Sequence, residues 1–285
     1  MSRVYKRLFL FAGFDKDGKI DDSMVYYLRN LSMYGDIIVC IDNEFNKHEI
    51  KKLRMRPLSV FITRHKEYDF GSYKRAFQYA RDNDLLKNYE YVYLVNDSVY
   101  GPMVNNLSKL IHKMERVPRD AVGLVESKHK THKFMESWFV RLNQKIFMSK
   151  WFDEFLSSVK KEPDKATITI KYEHGLTNLI ENNGCTWTGI YSVRGRKTYN
   201  DPKYLFKRGC PFVKKACFVR HDGALGNQIK YILKHSDAVA VKRVMKSANR
   251  IYGAKYMRKF LTYNPLRILW RNIKYGIKKL RHGEI

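Results

Sequence analysis

The sequence lacks the long apolar runs and the paired cysteines that mark several protein classes. No stretch of 18 or more apolar residues is present, so no transmembrane helix is predicted. A short basic lead precedes the first apolar stretch, LFLFAGF, and this apolar stretch is too short for a secretory signal. Neither a CxxC pair nor zinc-ligand spacing occurs among the cysteines, which are Cys40, Cys185, Cys210 and Cys217. We therefore expect a protein of the reducing cytosol, with Cys40 and Cys185 in its core.

Common catalytic and nucleic-acid-binding motifs are also missing. The sequence has no P-loop, GxGxxG, GxSxG or HExxH pattern. It has no helix-turn-helix, RNP or zinc-finger pattern either. Acidic residues are scarce, with 28 Asp and Glu against 55 Lys and Arg and a formal net charge of +27. This excess predicts an anionic partner, such as a phosphorylated ligand or an acidic lipid surface, whereas nucleic acid binding has only the charge to support it.

Strand-like and helix-like stretches alternate over the first half of the chain. The predicted strands cover residues 8–14, 36–42, 58–63, 91–95 and 121–126, and the predicted helices cover 23–33, 46–55, 72–82 and 106–116. This alternation predicts a mostly parallel sheet with helices on both faces. Farther along, we expect a long aromatic helix over 134–159, a helix over 172–183 and a strand over 185–193.

The predicted strand at residues 91–95 ends abruptly in polar side chains. Asn96, Asp97 and Ser98 follow it, and a Gly-Pro turn signal comes next. Ligands bind at the carboxyl ends of strands in open α/β sheets. Asp97 can therefore hold a divalent cation, Mg²⁺ or Mn²⁺, that bridges two phosphates of a ligand. The alternative is an Asx turn, in which Asp97 and Ser98 only cap the next loop.

A second candidate site lies at the start of the helix predicted over 72–82. Asp69 or Ser72 can cap this helix, and Gly71 lets a ligand approach the backbone closely. The free N–H groups of a helix N-terminus can also receive a phosphate. The alternative is capping alone, with the neighbouring aromatic side chains in the core.

Three further groups are candidates for chemistry. Glu173 can act as a general base on an acceptor hydroxyl, or it can be a surface glutamate paired with Lys171. His221 is a candidate metal or phosphate ligand, although single histidines are commonly structural. Lys214 and Lys215 can pair with a diphosphate, but basic residues are so numerous here that the pair is commonplace.

The C-terminal residues predict a basic amphipathic helix. After Pro265, apolar residues recur every three or four positions on one face, and basic residues follow the same spacing on another: Leu266, Leu269, Trp270, Ile273, Ile277 and Leu280, against Arg267, Arg271, Lys274, Lys278 and Arg281. This pattern is typical of a helix in a membrane interface, and the alternative is a helix packed on the domain. We expect a domain over 1–223 and a helical, membrane-contacting extension over 224–285.

Four stretches are distinctive in combination: GFD at 13–15, YDFGSY at 68–73, NDSVYGP at 96–102 and YEHGLT at 172–177. Their order and spacing resemble the rhamnan synthesis protein F family, bacterial glycosyltransferases of cell-surface polysaccharide assembly. The resemblance covers about residues 5–220. It implies a GT-A-like fold, which is an α/β architecture with a Rossmann-type, mostly parallel sheet flanked by helices and a nucleotide-sugar donor at the strand ends.

The resemblance also implies a role for each candidate residue. Asp97 would take the place of a DxD carboxylate and, with or without a metal shared with His221, stabilise the leaving diphosphate. Glu173 would be the base, and Ser137 and Trp138, in the stretch FMESWF, would contact the acceptor. The donor-binding residues would be Asp15, Asp69, Gly71, Ser72, Asn96 and Ser98.

The implied reaction moves a sugar, rhamnose or another deoxysugar, from a nucleoside-diphosphate donor to a hydroxyl of a growing polysaccharide or lipid-linked glycan. The basic helix would hold the enzyme at the inner face of the bacterial cytoplasmic membrane, where a polyprenyl-diphosphate-linked acceptor lies. Two alternatives stay open. One is a non-catalytic glycan- or membrane-binding scaffold with a degenerate transferase fold, which predicts no donor hydrolysis or transfer. The other is a nucleic-acid-binding protein, which predicts affinity that falls steeply with salt.

Overall fold

The computed structural model describes residues 6–44, 46–53, 57–219, 223–262 and 265–282. The strands in these ranges are β1 (Arg7–Gly13), β2 (Asp36–Ile41), β3 (Ser59–Ile62), β4 (Tyr91–Asn96), β5 (Val99–Tyr100), β6 (Ala121–Lys128), β7 (Lys133–Met135), β8 (Phe139–Asn143), β9 (Trp187–Arg194) and β10 (Val213–Lys214).

The α-helices are α1 (Asp22–Leu31), α2 (Lys47–Ile50), α3 (Tyr68–Asp82), α4 (Leu107–Arg116), α5 (Gln144–Phe147), α6 (Lys150–Ser157), α7 (Lys165–Ile168), α8 (Gly175–Asn182), α9 (Lys197–Asn200), α10 (Pro202–Lys207), α11 (Gly223–Lys234), α12 (Ala238–Tyr252), α13 (Ala254–Phe260) and α14 (Pro265–His282). Two 3₁₀ segments, Leu86–Asn88 and Lys215–Phe218, and a π-helical segment, Thr169–His174, complete the set.

One mixed sheet organises the molecule. Its strand order is β3-β2-β1-β4-β8-β6-β7, and β9 pairs with β6. Strands β1 to β4 are parallel, β8 lies antiparallel between β4 and β6, and β9 is parallel to β6. Strands β5 and β10 form a separate antiparallel ribbon. The predicted α/β class, a mostly parallel sheet flanked by helices, is therefore confirmed.

Side chains of the parallel strands are buried on both faces of the sheet. In β1, Leu8 and Leu10 face one core layer with α3, whereas Phe9 and Phe11 face the other with α1 and α4. This arrangement follows from the alternation of side chains along a strand, which gives near-continuous apolar runs when helices cover both faces. The cysteines are free and buried, so the prediction of core positions for Cys40 and Cys185 is confirmed.

The long helix predicted over residues 134–159 is wrong in its first half. That half forms β7 and β8, and only α5 and α6 are helical. Strand β8 pairs antiparallel with both β4 and β6, and Phe139, Val140 and Leu142 divide between the core layers on the two faces of the sheet. A run of this kind has no period of two, and without the pairing partners it is easily taken for a buried helix.

Helices α11 to α13 pack against the sheet domain. Side chains of α11 to α13, including Ile229, Val244 and Met257, share a core cluster with Tyr100 and Phe218. The predicted division after residue 223 stays a prediction, but α12 also packs along α1. Helix α14 confirms the predicted helix after Pro265. None of the described helices has the length and apolar character needed to cross a membrane.

Candidate functional site

The carboxyl ends of β1, β2 and β4 meet at one rim of the sheet. Strand β1 lies between β2 and β4, so their ends are side by side. The backbone N–H of Asp97 donates to the carbonyl of Ala12 at 3.0 Å, and the N–H of Asp15 donates to the side-chain carbonyl of Asn43 at 3.0 Å. Such a rim is where open α/β sheets bind ligands. Asp15 and Asp97 thus lie at the same rim.

Asp97 is buried at this rim and is paired with a lysine. Its Oδ2 lies 2.9 Å from the Nζ of Lys215, and its Oδ1 accepts a hydrogen bond of 3.3 Å from the N–H of Phe14. Burial raises the pKa of the Asp97 carboxyl, and the Lys215 ammonium acts in the opposite direction. The Asx-turn alternative fits Asn96 rather than Asp97, because Asn96 Oδ1 accepts from both the N–H and the hydroxyl of Ser98.

Asn96 connects β4 to the start of α3. Its Nδ2 donates to Asp69 Oδ2 at 2.8 Å, which places Asp69 beside the strand end. Burial, together with the nearby charge of Asp97, raises the pKa of Asp69 to about 6. The predicted donor-binding residues Asp69, Asn96 and Ser98 therefore form one connected polar group.

We expect Asp69→Asn to stabilise the protein at pH 8 and to have little effect below pH 4. The pKa of about 6 in the folded state exceeds the ordinary value of 3.8. A carboxyl raised in this way contributes stability at low pH, and that contribution is lost as the pH rises through about 6. The gain at pH 8 should be about 3 kcal/mol, measured by urea unfolding. An equal effect of the substitution at both pH values would show that the Asp69 pKa is ordinary.

Glu173 lies in the π-helical segment and reaches the turn before β8. Its Oε1 accepts hydrogen bonds from the N–H of Ser137 at 2.7 Å and from the Ser137 hydroxyl at 2.9 Å. Burial raises the pKa of Glu173. A raised pKa makes the ionised carboxylate a stronger base. Asp69 feels the charge of Glu173, so the candidate base lies close to the strand-end group.

Lys214 lies at the centre of these acidic groups, a position to which sequence reasoning gave little weight. Its Nζ donates to the Ser98 hydroxyl at 3.0 Å and lies 4.8 Å from the ring centroid of Trp138. Burial lowers the pKa of Lys214, while Glu136, Glu173 and Asp69 raise it. The sequence signal for a special role of Lys214 is that Lys214 and Lys215 interrupt the otherwise apolar stretch CPFVKKACF.

Asp15 lies at the rim of the sheet, and its carboxylate forms an ion pair with a cation from α12. Its Oδ1 accepts from the backbone N–H groups of Asp17 and Lys19, at 3.0 and 3.2 Å. The guanidinium of Arg250 pairs with Asp15 and lies 3.1 Å from carboxylate oxygens of Asp17 and Asp21. A helix from the C-terminal part therefore closes one side of the site.

Three predicted site residues do not have the contacts expected of them. A Cβ on Gly71 would lie 2.3 Å from the Glu67 side chain, so this glycine accommodates its own helix start rather than a ligand. Ser72 is 1% exposed, and its hydroxyl contacts His65 at 3.0 Å. Trp138 is 1% exposed, so the acceptor contact predicted for it does not fit its burial. The ring of Trp138 instead packs against the ammonium group of Lys214.

The residues present do not fit a divalent cation at Asp97. Both carboxylate oxygens already have partners, and one partner is a cation. Mg²⁺ and Mn²⁺ sites need several free oxygen ligands. Within the described ranges, no cluster of three or more His, Cys, Asp or Glu side chains is arranged to hold a metal. His221 lies outside the described residues, and the cation predicted at Asp97 and His221 stays a prediction.

Several solved structures resemble the chain at low identity. A putative nucleotide-diphospho-sugar transferase from Desulfovibrio desulfuricans G20 is 14% identical with a TM-score of 0.41, over 87% of this chain and 98% of that one. A 4-diphosphocytidyl-2C-methyl-D-erythritol synthase from Anaerococcus prevotii DSM 20548 is 12% identical with a TM-score of 0.39, over 68% and 90%. The mannosyltransferase Ktr4p from S. cerevisiae is 8% identical with a TM-score of 0.33, over 55% and 60%. At these values the likeness does not assign an activity.

Comparison of the sequence itself gives a firmer result. No curated protein matches the chain. The family described as rhamnan synthesis protein F matches residues 36–264, which include the rim residues Asp69 and Asp97, the candidate base Glu173 and both lysines, Lys214 and Lys215. Because this match spans most of the chain, the protein belongs to the rhamnan synthesis protein F family.

Proposed function

We propose that the protein is a nucleotide-sugar-dependent glycosyltransferase. The observation that carries the proposal is the convergence at one rim of the strand-end acid Asp97, the connected group around Asp69 and the half-buried carboxylate of Glu173. A rim of this kind suits a nucleoside-diphosphate sugar, because the nucleotide and the sugar can lie along the strand ends. Membership of the family supports the same reading.

The proposed reaction is transfer of a sugar to a hydroxyl group. The acceptor oxygen bonds to the anomeric carbon of the donor, and the bond from that carbon to the phosphate oxygen breaks. Glu173 takes the proton of the acceptor hydroxyl, and Ser137 holds one of its carboxylate oxygens in place. The nucleoside diphosphate leaves with the electron pair of the broken bond. The sugar is rhamnose or another deoxysugar, and the acceptor is a growing cell-surface polysaccharide or a lipid-linked glycan.

We also propose that α14 holds the enzyme on an anionic membrane, the inner face of the bacterial cytoplasmic membrane. Leu266, Leu269, Trp270, Ile273 and Ile277 are all exposed, between 45% and 76%. Basic residues accompany them along the helix, and Lys274 is exposed. This charge is complementary to anionic lipid, where each basic residue contributes about 1 kcal/mol. A polyprenyl-diphosphate-linked acceptor would be reached from this position.

One observation favours a second candidate function, a non-catalytic glycan- or membrane-binding scaffold. The rim carboxylates Asp97 and Asp15 are already paired with the protein's own cations, Lys215 and Arg250. A degenerate site that no longer binds a donor would be stabilised in this way. The two candidates differ in nucleotide binding, which the scaffold lacks.

We expect one of UDP, GDP, dTDP and CDP to raise the melting temperature of the protein. A ligand that binds only the folded state adds about 2.7 kcal/mol of stability at one hundred times its dissociation constant. Asp97→Ala should lose this shift, because Asp97 positions Lys215 at the rim. Thermal-shift measurements with and without Mn²⁺ check the prediction.

The matched control for this experiment is Asp82→Asn, at an exposed carboxylate far along α3. This variant should keep the nucleotide-induced shift of the unmodified protein. If none of the four nucleotides shifts the melting temperature, with or without Mn²⁺, the transferase proposal fails and the scaffold takes its place.

A further inference from the structure

Lys214 is a buried cation with no carboxylate in direct contact. The residue is 8% exposed, and its Nζ donates to a neutral acceptor, the Ser98 hydroxyl, at 3.0 Å. Within the described part of the chain, no Asp or Glu oxygen lies within 4.0 Å of this Nζ. Burying an ammonium group in this way costs free energy unless an anion compensates it. Of its three N–H donors, only the one to Ser98 has a hydrogen-bond partner in the described part of the chain, so the ammonium group can still donate to an anion at the rim.

The fold places a second lysine beside the first at the strand-end rim. Strand β10 pairs with β5, which sets Lys214 opposite Val99. The N–H of Lys215 then donates to the carbonyl of Ser98 at 2.9 Å, so both lysines are fixed to the loop that carries Asp97. Because Lys215 is paired with Asp97, Lys214 is the rim cation whose direct contact is a neutral group, the Ser98 hydroxyl.

The surroundings of Lys214 define the kind of anion that it receives. Glu136, Glu173 and Asp69 lie near enough to raise the pKa of Lys214, but its direct hydrogen bond is to the Ser98 hydroxyl. The ring of Trp138 lies beneath the ammonium group at 4.8 Å and excludes water from that side. Lys214 and Lys215 contact adjacent residues, Ser98 and Asp97, so a diphosphate at the end of β4 would lie beside the loop that holds both ammonium groups.

We infer that Lys214 and Lys215 bind the donor diphosphate and stabilise it as it leaves, in place of a divalent cation. This inference rests on the proposed transferase function and deepens it. When the bond between the anomeric carbon and the phosphate oxygen breaks, the electron pair stays on that oxygen. The two ammonium groups hydrogen-bond to the new negative charge without giving up a proton. The proton released in the reaction goes from the acceptor hydroxyl to Glu173.

The test is isothermal titration of UDP, GDP, dTDP and CDP, and of their nucleosides, in the presence of EDTA. The unmodified protein should bind one nucleoside diphosphate without metal. Lys214→Met should weaken binding of that diphosphate about tenfold to a hundredfold, the effect of one charge-assisted hydrogen bond. It should leave the affinity for the nucleoside unchanged. The control is Lys109→Met, at an exposed position on α4. This control should change neither affinity.

A second variant keeps the test decisive if Lys214→Met does not fold. The double variant Lys215→Met with Asp97→Asn removes the ion pair without leaving a buried charge unpaired. It should also weaken binding of the diphosphate but not of the nucleoside. Binding that requires Mn²⁺ and is unchanged in the lysine variants would overturn the inference and leave the transferase proposal standing. If no nucleotide binds in EDTA or in Mn²⁺, the proposed function and the inference fail together.

Discussion

Glu173→Gln is expected to abolish sugar transfer and to leave nucleotide binding almost unchanged. Glutamine keeps the size of the side chain and can still accept the two hydrogen bonds from Ser137 through its carbonyl oxygen. It cannot take a proton from the acceptor hydroxyl. General base catalysis contributes about 10²- to 10⁴-fold, so the rate should fall by about this factor. The measurement is the transfer rate with the donor that the nucleotide panel selects.

A matched control separates loss of the base from loss of a negative charge. Glu154 lies on α6 in an exposed pair with Lys150, so Glu154→Gln removes the same charge outside the site. This control should keep the transfer rate. The Glu173 variant should also lose the rise of rate with pH that titration of the base produces. If Glu173→Gln keeps its rate and pH profile, the base is another group.

The strand-end part of the site is predictable because local patterns determine it. A buried apolar run that stops at Asn96 and Asp97 can only place those residues at the end of a strand. The alternation of strands and helices then makes the strands parallel, so that the ends of β1 and β4 are neighbours. Asp97 was found in this way without knowledge of its contacts, whereas Asp15 was assigned through the resemblance to the rhamnan synthesis protein F family.

The cations of the site escape prediction because long-range contacts place them. Lys214 enters through a two-residue strand that pairs with β5, more than a hundred positions earlier in the chain. Arg250 reaches Asp15 from α12, at a sequence separation of 235. In a chain with 55 Lys and Arg, nothing in the local sequence distinguishes Arg250 from the others, and only the apolar stretch around it marks Lys214. Their contacts, Ser98 for Lys214 and Asp15 for Arg250, exist only in the folded protein.

The residues that were assigned wrongly have local signals with two physical meanings. A glycine at a helix start permits close approach of a ligand or of a neighbouring side chain, and at Gly71 that neighbour is Glu67. An aromatic residue next to a polar turn can stack on a sugar or fill the core. Trp138 fills the core, where its Nε1 donates to Glu136 at 2.8 Å. Only tertiary packing separates these meanings.

Polar substitution of the apolar face of α14 is expected to release the protein from anionic vesicles. Leu269, Trp270 and Ile273 are 58%, 58% and 45% exposed, so replacing all three by serine should leave the melting temperature unchanged. Each exposed apolar side chain that enters the lipid interface contributes about 1 kcal/mol or more. The triple variant should therefore bind vesicles at least about a hundredfold more weakly. Co-sedimentation with sucrose-loaded phosphatidylglycerol vesicles measures the change.

The lipid and salt dependence distinguish a membrane surface from other partners of α14. Binding through the basic residues should weaken in phosphatidylcholine vesicles and at high ionic strength, because surface charges are screened beyond about 10 Å at 0.1 M salt. Met148→Ser, at a residue that is 53% exposed on the sheet domain, should bind like the unmodified protein. Unmodified protein that does not sediment with anionic vesicles would contradict the membrane assignment. The apolar face of α14 would then have to be covered by protein, because so many exposed apolar side chains on one helix mark a contact surface.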